Sequence, residues 1–215
     1  MHIKLVILDF DGVIVESNDI KDKVFQQIFS RYPEHYEALL NFHRINVSIS
    51  RYAKFDFLLQ TIGQKNNEEL KKNLLEDFSA LTLELMKTVP FVKGAISFLE
   101  EMYQQLPLYL ASVTPIQDLE IILGNLQLRH FFKEIYGCPP WNKPDAVKDI
   151  LYKEKISSQQ TVLVGDSHGD QRAARENKIH FIGRDSGLGF ENPQPDMIIP
   201  DLTGLVSFLQ KIDFK

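Results

Sequence analysis

Four short segments of the chain combine acidic residues with residues that bind phosphate. Asp9 and Asp11 follow an aliphatic run and are two positions apart, which directs both carboxylates to one side of a strand. Ser112 closes a second apolar run, Lys143 starts a predicted helix, and Gly165-Asp166-Ser167-His168-Gly169-Asp170 follows a third run. Four carboxylates in one place repel each other without a cation, and oxygen ligands suit Mg²⁺. Together with a lysine and a hydroxyl, that ion would neutralise a phosphoryl group.

The elements around these residues predict an α/β fold in which aliphatic strands alternate with helices. Strands are predicted at 3–8, 106–112, 161–165, 179–182 and 197–199, and helices at 94–104, 143–155, 170–176 and 201–212. A further helix opens at Thr114-Pro115-Ile116-Gln117, with Thr114 as its cap and Pro115 in its first turn. Ligands of open α/β sheets bind beyond the carboxyl ends of the strands. The four segments are therefore expected to meet at one edge of the sheet.

The stretch between the first strand and residue 90 differs in pattern from the rest of the chain. It predicts helices at 19–30, 51–62 and 68–87 with no strand between them. The last of these carries an apolar stripe with a spacing of three or four residues, formed by Leu70, Leu74, Phe78, Leu81 and Leu85. We predict a Rossmann-like parallel sheet core of three α/β/α layers at residues 1–15 and 90–215. An α-helical cap domain is inserted at 16–89.

The composition argues against several classes of protein. The 215 residues carry a formal net charge of −5, which does not indicate a nucleic-acid-binding surface. No apolar run approaches the roughly 20 residues of a membrane span. The single cysteine, Cys138, excludes an internal disulfide framework. We therefore predict a soluble cytoplasmic protein without nucleic-acid or membrane partners. We also expect a monomer or weak dimer.

The four segments resemble, in order, the four motifs of the haloacid dehalogenase-like (HAD) hydrolase superfamily. Asp9-Phe10-Asp11-Gly12-Val13 is similar to the first motif, Ala111-Ser112 to the second, Lys143-Pro144 to the third, and Gly165-Asp166-Ser167 with Asp170 to the fourth. One such motif is weak evidence because Asp-x-Asp is common by chance, but four in order are specific. The resemblance covers nearly the whole chain. It points to the phosphatase and β-phosphoglucomutase-like branch, which has a helical cap after the first strand.

The resemblance implies a catalytic role for four residues: both acids of the first motif, the serine of the second and the lysine of the third. Asp9 would attack phosphorus and form an aspartyl phosphate. Asp11 would protonate the leaving alcohol and then deprotonate the attacking water. Ser112 would donate a hydrogen bond to a phosphoryl oxygen, and Lys143 would hold both the phosphate and Asp9.

The resemblance also implies how metal and substrate are held. Asp9, Asp166 and the backbone carbonyl of Asp11 would ligate Mg²⁺, while Asp170 would either ligate the ion or orient a metal-bound water or Lys143. Specificity is expected from the cap, where residues 42–52 are similar to a loop that contacts substrate and an arginine would bind a second phosphate or a carboxylate. The alternative for charged cap residues is a solvated helix surface. The residues assigned to substrate binding are Gly12, Thr114, Arg51, Arg44 and His43.

Three functions are compatible with these motifs. The first is a Mg²⁺-dependent phosphohydrolase that acts on a small phosphorylated metabolite, such as a sugar phosphate or a phosphoglycolate-like acid. The second is a β-phosphoglucomutase-like sugar phosphomutase, although such enzymes usually carry an acid where this chain has Gly165. The third is a non-catalytic phosphometabolite-binding protein, which is disfavoured because no motif residue is lost. Asp11 argues against the dehalogenase and phosphonate-cleaving branches.

Overall fold

The computed structural model describes residues 2–211, and the chain divides into two compact units. The sheet unit comprises Met1–Glu16 and Pro90–Lys215, and the helical unit comprises Ser17–Val89. Among the described residues, no helix is both long and apolar enough to span a bilayer. The cytoplasmic location and the monomeric or weakly dimeric state stay predictions.

Within residues 2–211, the sheet unit contains six parallel strands in the order β3-β2-β1-β4-β5-β6. The strands are β1 (Leu5–Leu8), β2 (Leu108–Ala111), β3 (Glu134–Tyr136), β4 (Thr161–Gly165), β5 (His180–Arg184) and β6 (Met197–Ile199). Strand β1 lies between β2 and β4, so the carboxyl ends of these three strands are adjacent. The predicted α/β fold with a helical insertion after the first strand is confirmed.

The described residues form nine α-helices, four of which belong to the helical unit. They are α1 (Asn18–Phe29), α2 (Tyr36–Ile45), α3 (Arg51–Thr61), α4 (Glu68–Met86), α5 (Ala95–Met102), α6 (Ile116–Asn125), α7 (Lys143–Glu154), α8 (His168–Glu176) and α9 (Leu205–Lys211).

The aliphatic strands hold the sheet unit together because both faces of the sheet are buried. Leu5 and Ile7 pack in one cluster with Val147 of α7 and Ala173 of α8, and all four are fully buried. The alternating residues of β1 are equally buried, as expected for a parallel sheet that is covered on both sides. Burying an aliphatic side chain of this size stabilises a fold by about 1.5–3 kcal/mol. This packing fixes the strand ends that carry the polar residues.

Aromatic packing forms the core of the helical unit. Phe25, Phe29, Phe55 and Phe78 are buried together, and the ring centroids of Phe25 and Phe78 are 4.4 Å apart. Side-chain caps define the starts of two of these helices. The Ser50 hydroxyl accepts a hydrogen bond at the start of α3, and the side-chain oxygen of Asn67 does so at the start of α4.

The structure corrects three details of the predicted elements. Helix α2 and strand β3 lie where no element was predicted. The last helix begins at Leu205 and not at 201, because the Asp201 carboxylate accepts a hydrogen bond from the Thr203 amide and Gly204 has a left-handed φ of 76°. Its predicted end, Ile212, lies outside the described residues.

Candidate active site

The residues of the four motifs lie together at the carboxyl edge of the sheet. Asp9 is the first residue beyond β1, Ser112 the first beyond β2, and Asp166 the first beyond β4. Lys143 is the first residue of α7, whose start is capped by the Asn142 side chain through the Asp145 amide at 2.9 Å. Asp9, Ser112, Lys143 and Asp166 are all buried.

The loop after β1 turns sharply immediately beyond the two acids. The Asp9 amide still donates to the Val164 carbonyl at 2.9 Å, so the strand pairing continues for one residue beyond β1. Gly12 then adopts a φ of 71°, a conformation that is costly for other residues, and its amide donates to the Val15 carbonyl at 2.8 Å. Gly12, which sequence assigns to substrate binding, therefore forms the turn that follows Asp11.

Three buried carboxylates form a compact cluster around one lysine. Oxygens of Asp9, Asp166 and Asp170 lie within 4.8 Å of one another. The Lys143 ammonium forms ion pairs with Asp9 Oδ1, at 2.9 Å, and with Asp170 Oδ1. Burial, followed by the charge of Asp170, raises the pKa of Asp9 well above its usual range, although Lys143 opposes this shift. Burial alone would lower the pKa of Lys143, but Asp170 and Asp9 raise it above its ordinary value.

Asp170 is fixed by contacts on both of its oxygens. Its Oδ2 accepts hydrogen bonds from the Ser167 amide at 3.1 Å and from the Ser167 hydroxyl at 2.6 Å, which closes a capping box at the start of α8. A Cβ on Gly165 would lie 2.2 Å from the Asp170 Cβ, so a side chain at 165 is incompatible with this arrangement. Gly165 is therefore required for Asp170 to occupy its place beside Lys143.

Asp11 lies beside the cluster and is held by two hydroxyl groups from the segment after β2. Thr114 Oγ1 donates to Asp11 Oδ2 at 3.0 Å, and Ser112 Oγ lies 3.4 Å from the same oxygen. The prediction that Thr114 caps the next helix is wrong, because Pro115 occupies the cap position and the threonine hydroxyl contacts Asp11. A role of Thr114 in substrate binding stays a prediction.

The carboxylate cluster has the composition of a site for a hard divalent cation. Lys143 supplies one positive charge to the three carboxylates, so negative charge remains at the cluster. Burial, followed by the charge of Asp170, raises the pKa of Asp9. Mg²⁺ prefers oxygen ligands and is commonly bound by one or two carboxylates together with water. Asp9, Asp166 and Asp170 therefore fit a magnesium ion by charge, by donor type and by spacing.

The three predicted residues of the helical unit lie in helices and not in a loop. Arg44 is exposed in the last turn of α2, and Arg51 begins α3. The Arg51 side chain is buried within the unit, where Nη1 donates to Ser79 Oγ at 2.8 Å and the guanidinium lies 4.5 Å from the Phe78 ring centroid. Substrate binding by Arg44 and Arg51 stays a prediction.

The third of these residues, His43, belongs to a polar chain that sequence reasoning missed and that runs from the exposed Asp22 to the buried Lys54. Its Nε2 lies 2.8 Å from Asp22 Oδ1, and its Nδ1 lies 2.8 Å from Lys54 Nζ. The hydrogen bond from His43 lowers the pKa of Asp22, whereas burial and then the charge of Lys21 lower the pKa of Lys54 to about 7. Both ring nitrogens of His43 thus have partners inside the helical unit. Its assignment to substrate binding stays a prediction.

The low pKa of Lys54 predicts a pH-dependent stability. An unfolded lysine keeps its ordinary pKa of 10.5, so between pH 7 and 10 the unfolded chain binds a proton that the folded chain does not. The free energy of unfolding is therefore expected to rise with pH over this window, by about 2–4 kcal/mol relative to Lys54→Met. Urea denaturation of both proteins at pH 7, 8, 9 and 10 measures the difference.

The exposed Lys72, on α4, provides the control for this measurement. Lys72→Met is expected to keep the slope of the wild type. Parallel slopes for the wild type and Lys54→Met would contradict the low pKa of Lys54.

Residues 6–184 match the sequence profile of the haloacid dehalogenase-like hydrolase family. This match spans most of the chain and includes all four motifs. The chain therefore belongs to the haloacid dehalogenase-like hydrolase family, and the resemblance inferred from the motifs is confirmed.

The chain is similar over most of its length to proteins that are named as phosphatases. It is 28% identical to a phosphoglycolate phosphatase of Vibrio cholerae, covering 95% of this chain and 96% of that protein. It is 26% identical to a phosphorylated carbohydrates phosphatase of Thermotoga maritima, covering 82% of each.

Solved structures share the fold at lower sequence identity. A haloacid dehalogenase-like family protein of Streptococcus pneumoniae superposes with a TM-score of 0.75 at 21% identity, covering 97% of this chain and 99% of that one. A Bacillus subtilis HAD hydrolase that was solved with bound magnesium has a TM-score of 0.69 at 17% identity, with coverage of 97% and 99%. These likenesses support the fold.

Proposed function

We propose that this protein is a Mg²⁺-dependent phosphatase that hydrolyses a small phosphorylated metabolite through an aspartyl phosphate on Asp9. The observation that carries the proposal is the grouping of four side chains at one edge of the sheet. The Asp9 carboxylate is paired with Lys143. Beside it lies the Asp11 carboxylate, which accepts a hydrogen bond from the Thr114 hydroxyl.

In the first step, Asp9 attacks the phosphorus atom of the substrate. Its Oδ1 accepts hydrogen bonds from Lys143 and from the Phe10 amide at 2.7 Å, so we assign the attack to Oδ2. The bond from phosphorus to the ester oxygen breaks as the new bond forms, and the Asp11 carboxyl gives its proton to the departing alkoxide. Ser112 and Lys143 bind the phosphoryl oxygens and stabilise the charge that develops on them.

In the second step, water hydrolyses the aspartyl phosphate. The Asp11 carboxylate removes a proton from the water as its oxygen attacks phosphorus, and the bond to Asp9 breaks to release inorganic phosphate. Asp11 thereby regains the proton that it lost in the first step. The hydrogen bond from Thr114 holds its carboxylate in place for both transfers, while the Ser112 hydroxyl donates to the phosphoryl group.

Asp9, Asp166 and the backbone carbonyl of Asp11 would hold the magnesium ion, with Asp170 either ligating it or orienting its water. When bound, the ion would neutralise charge on the phosphoryl group and on the carboxylates. The magnesium bound to the Bacillus subtilis structure supports this choice of metal.

The substrates named for the relatives suggest the substrate class. One relative is a phosphoglycolate phosphatase and another acts on phosphorylated carbohydrates, so we propose a sugar phosphate or a short phosphorylated acid. We further propose that the helical unit acts as the cap that selects it. The contact between position 165 and Asp170 supports hydrolysis over mutase activity, because this chain has no room for the acid that the mutases usually carry there.

Phosphate release from a panel of sugar phosphates, phosphoglycolate, nucleotides and pyrophosphate tests the proposal. We expect release from at least one sugar phosphate or phosphoglycolate with Mg²⁺, loss of that release in EDTA, and recovery when excess Mg²⁺ is restored. Release that is unaffected by EDTA would contradict the metal assignment. If no phosphate is released but isomerised sugar phosphate is found in the same samples, the protein is a mutase. If neither product is found, the non-catalytic binding protein is the remaining hypothesis.

A further inference from the structure

Arg184, at the carboxyl end of β5, makes contacts that the proposed chemistry does not use. Its Nη1 donates to the Gly12 carbonyl at 3.2 Å and to Glu16 Oε2 at 3.0 Å, while Nη2 donates to Glu16 Oε1 at 2.5 Å. Its Nε donates to the Pro200 carbonyl at 3.1 Å. The side chain is 11% exposed, so the arginine is largely withdrawn from solvent.

Arg184 forms hydrogen bonds to both ends of the turn that follows Asp11. The turn runs from Gly12 to Glu16 and is closed internally by the hydrogen bond between Gly12 and Val15. Its far end pairs with the returning chain, because the Glu16 amide donates to the Pro90 carbonyl at 2.8 Å. Arg184 therefore connects a strand end of the sheet to the first and last residues of this turn.

The arrangement is stronger than an ordinary surface ion pair. A guanidinium that meets a carboxylate through two parallel hydrogen bonds is geometrically specific, and lysine does not reproduce that fork. The contact with the Gly12 carbonyl acts at the residue directly after Asp11, where glycine gives the backbone its greatest freedom. Removing Arg184 would leave this carbonyl and the Glu16 carboxylate without their shared partner.

We propose that Arg184 is a positioning residue for Asp11: by clamping Gly12 and Glu16, it holds the acid–base carboxyl at the distance that proton transfer to the leaving group requires. Arg184 does not touch the reacting atoms in this proposal. It acts through the backbone of residues 12–16. The inference rests on the proposed function, since it needs Asp11 to be the acid.

Two substrates with different leaving groups distinguish a misplaced Asp11 from a general loss of folded enzyme. An alkyl phosphate needs protonation of its leaving oxygen, whereas p-nitrophenyl phosphate loses a stable anion and needs little. We expect Arg184→Met to lower kcat/KM for the best alkyl substrate by about 10- to 100-fold, because small displacements of a catalytic group are costly. For p-nitrophenyl phosphate we expect a decrease of less than about threefold.

Three further variants complete the test. Asp11→Asn is expected to shift the ratio of the two kcat/KM values in the same direction and further. Arg184→Lys is expected to restore only part of the ratio. Arg175→Met removes an arginine of the sheet unit that forms a loose ion pair at 3.9 Å with Glu191 and a hydrogen bond at 3.5 Å to the Asn192 carbonyl. This variant is expected to leave the ratio unchanged.

The outcomes separate this inference from the proposed function. Partial unfolding of Arg184→Met would lower both kcat/KM values by the same factor and leave their ratio unchanged. If the wild type releases phosphate and Arg184→Met has the same ratio of kcat/KM values as the wild type, the inference is overturned and the proposed function is not. A wild type that releases phosphate from neither substrate would overturn the proposed function.

Discussion

Asp9→Asn is expected to abolish phosphate release without unfolding the protein. An amide cannot form the aspartyl phosphate, so the rate should fall by at least about 10³-fold. The substitution should not lower the stability of the folded protein, as a disruptive substitution would. Because the pKa of Asp9 is raised by burial and by Asp170, removing its charge relieves the carboxylate cluster. In EDTA, the melting temperature of Asp9→Asn is therefore expected to equal or exceed that of the wild type.

Phosphate release and thermal melting, measured on the same samples, check this prediction. Glu176→Gln is the matched control, since this exposed acid at the end of α8 makes only a loose ion pair with Arg172 at 3.7 Å. The control should keep both activity and melting temperature. Mass spectrometry of acid-quenched reactions should show a phosphoryl group on the wild type and none on Asp9→Asn. Substantial release by Asp9→Asn would place the nucleophile elsewhere.

Lys143→Met is expected to remove activity and stability together. The ammonium pairs with both Asp9 and Asp170, and methionine leaves these buried carboxylates without their cation. Breaking a buried ion pair by removing one partner costs about 3–5 kcal/mol. We expect the rate of phosphate release to fall by about 10²- to 10³-fold, since the lysine also binds the phosphoryl oxygens in the proposed mechanism.

Denaturation and activity of Lys143→Met should be compared with those of Lys148→Met. Lys148 lies on the same helix α7 but is exposed, so its loss should change neither quantity. Asp9→Asn should stabilise Lys143→Met by more than it stabilises the wild type, because only in Lys143→Met does it remove an unpaired buried charge. Full activity in Lys143→Met, or additive stability changes in the double variant, would contradict the ion-pair cluster.

The sequence predicted where the polar residues at the strand ends lie, because their position follows from the geometry of a parallel sheet. Parallel strands present their carboxyl ends at one edge, so Asp9, Ser112 and Asp166 meet once β1, β2 and β4 are adjacent. Strand runs were recognisable from their aliphatic residues. The roles of these residues in metal binding and catalysis stay proposals.

Other features depended on interactions that local pattern does not encode. Helix α2 starts without a side-chain cap, and the three-residue strand β3 begins with Glu134 and so lacks the aliphatic run by which the other strands were recognised. Thr114 has the residue type of a cap, but its hydroxyl binds a carboxylate that lies 103 positions away. The pair of Arg184 with Glu16 spans 168 positions, and only the folded sheet brings the two together.

The hydrogen bond between the Glu16 amide and the Pro90 carbonyl has a consequence for the modularity of the chain. Because these atoms are 2.8 Å apart, the polypeptide leaves the sheet unit and returns to it at a single point. A linker of two or three residues is long enough to join such ends, and closing a short flexible loop costs little conformational entropy. We therefore expect that residues 17–89 can be shortened or exchanged for another segment without any change in the path of the six strands.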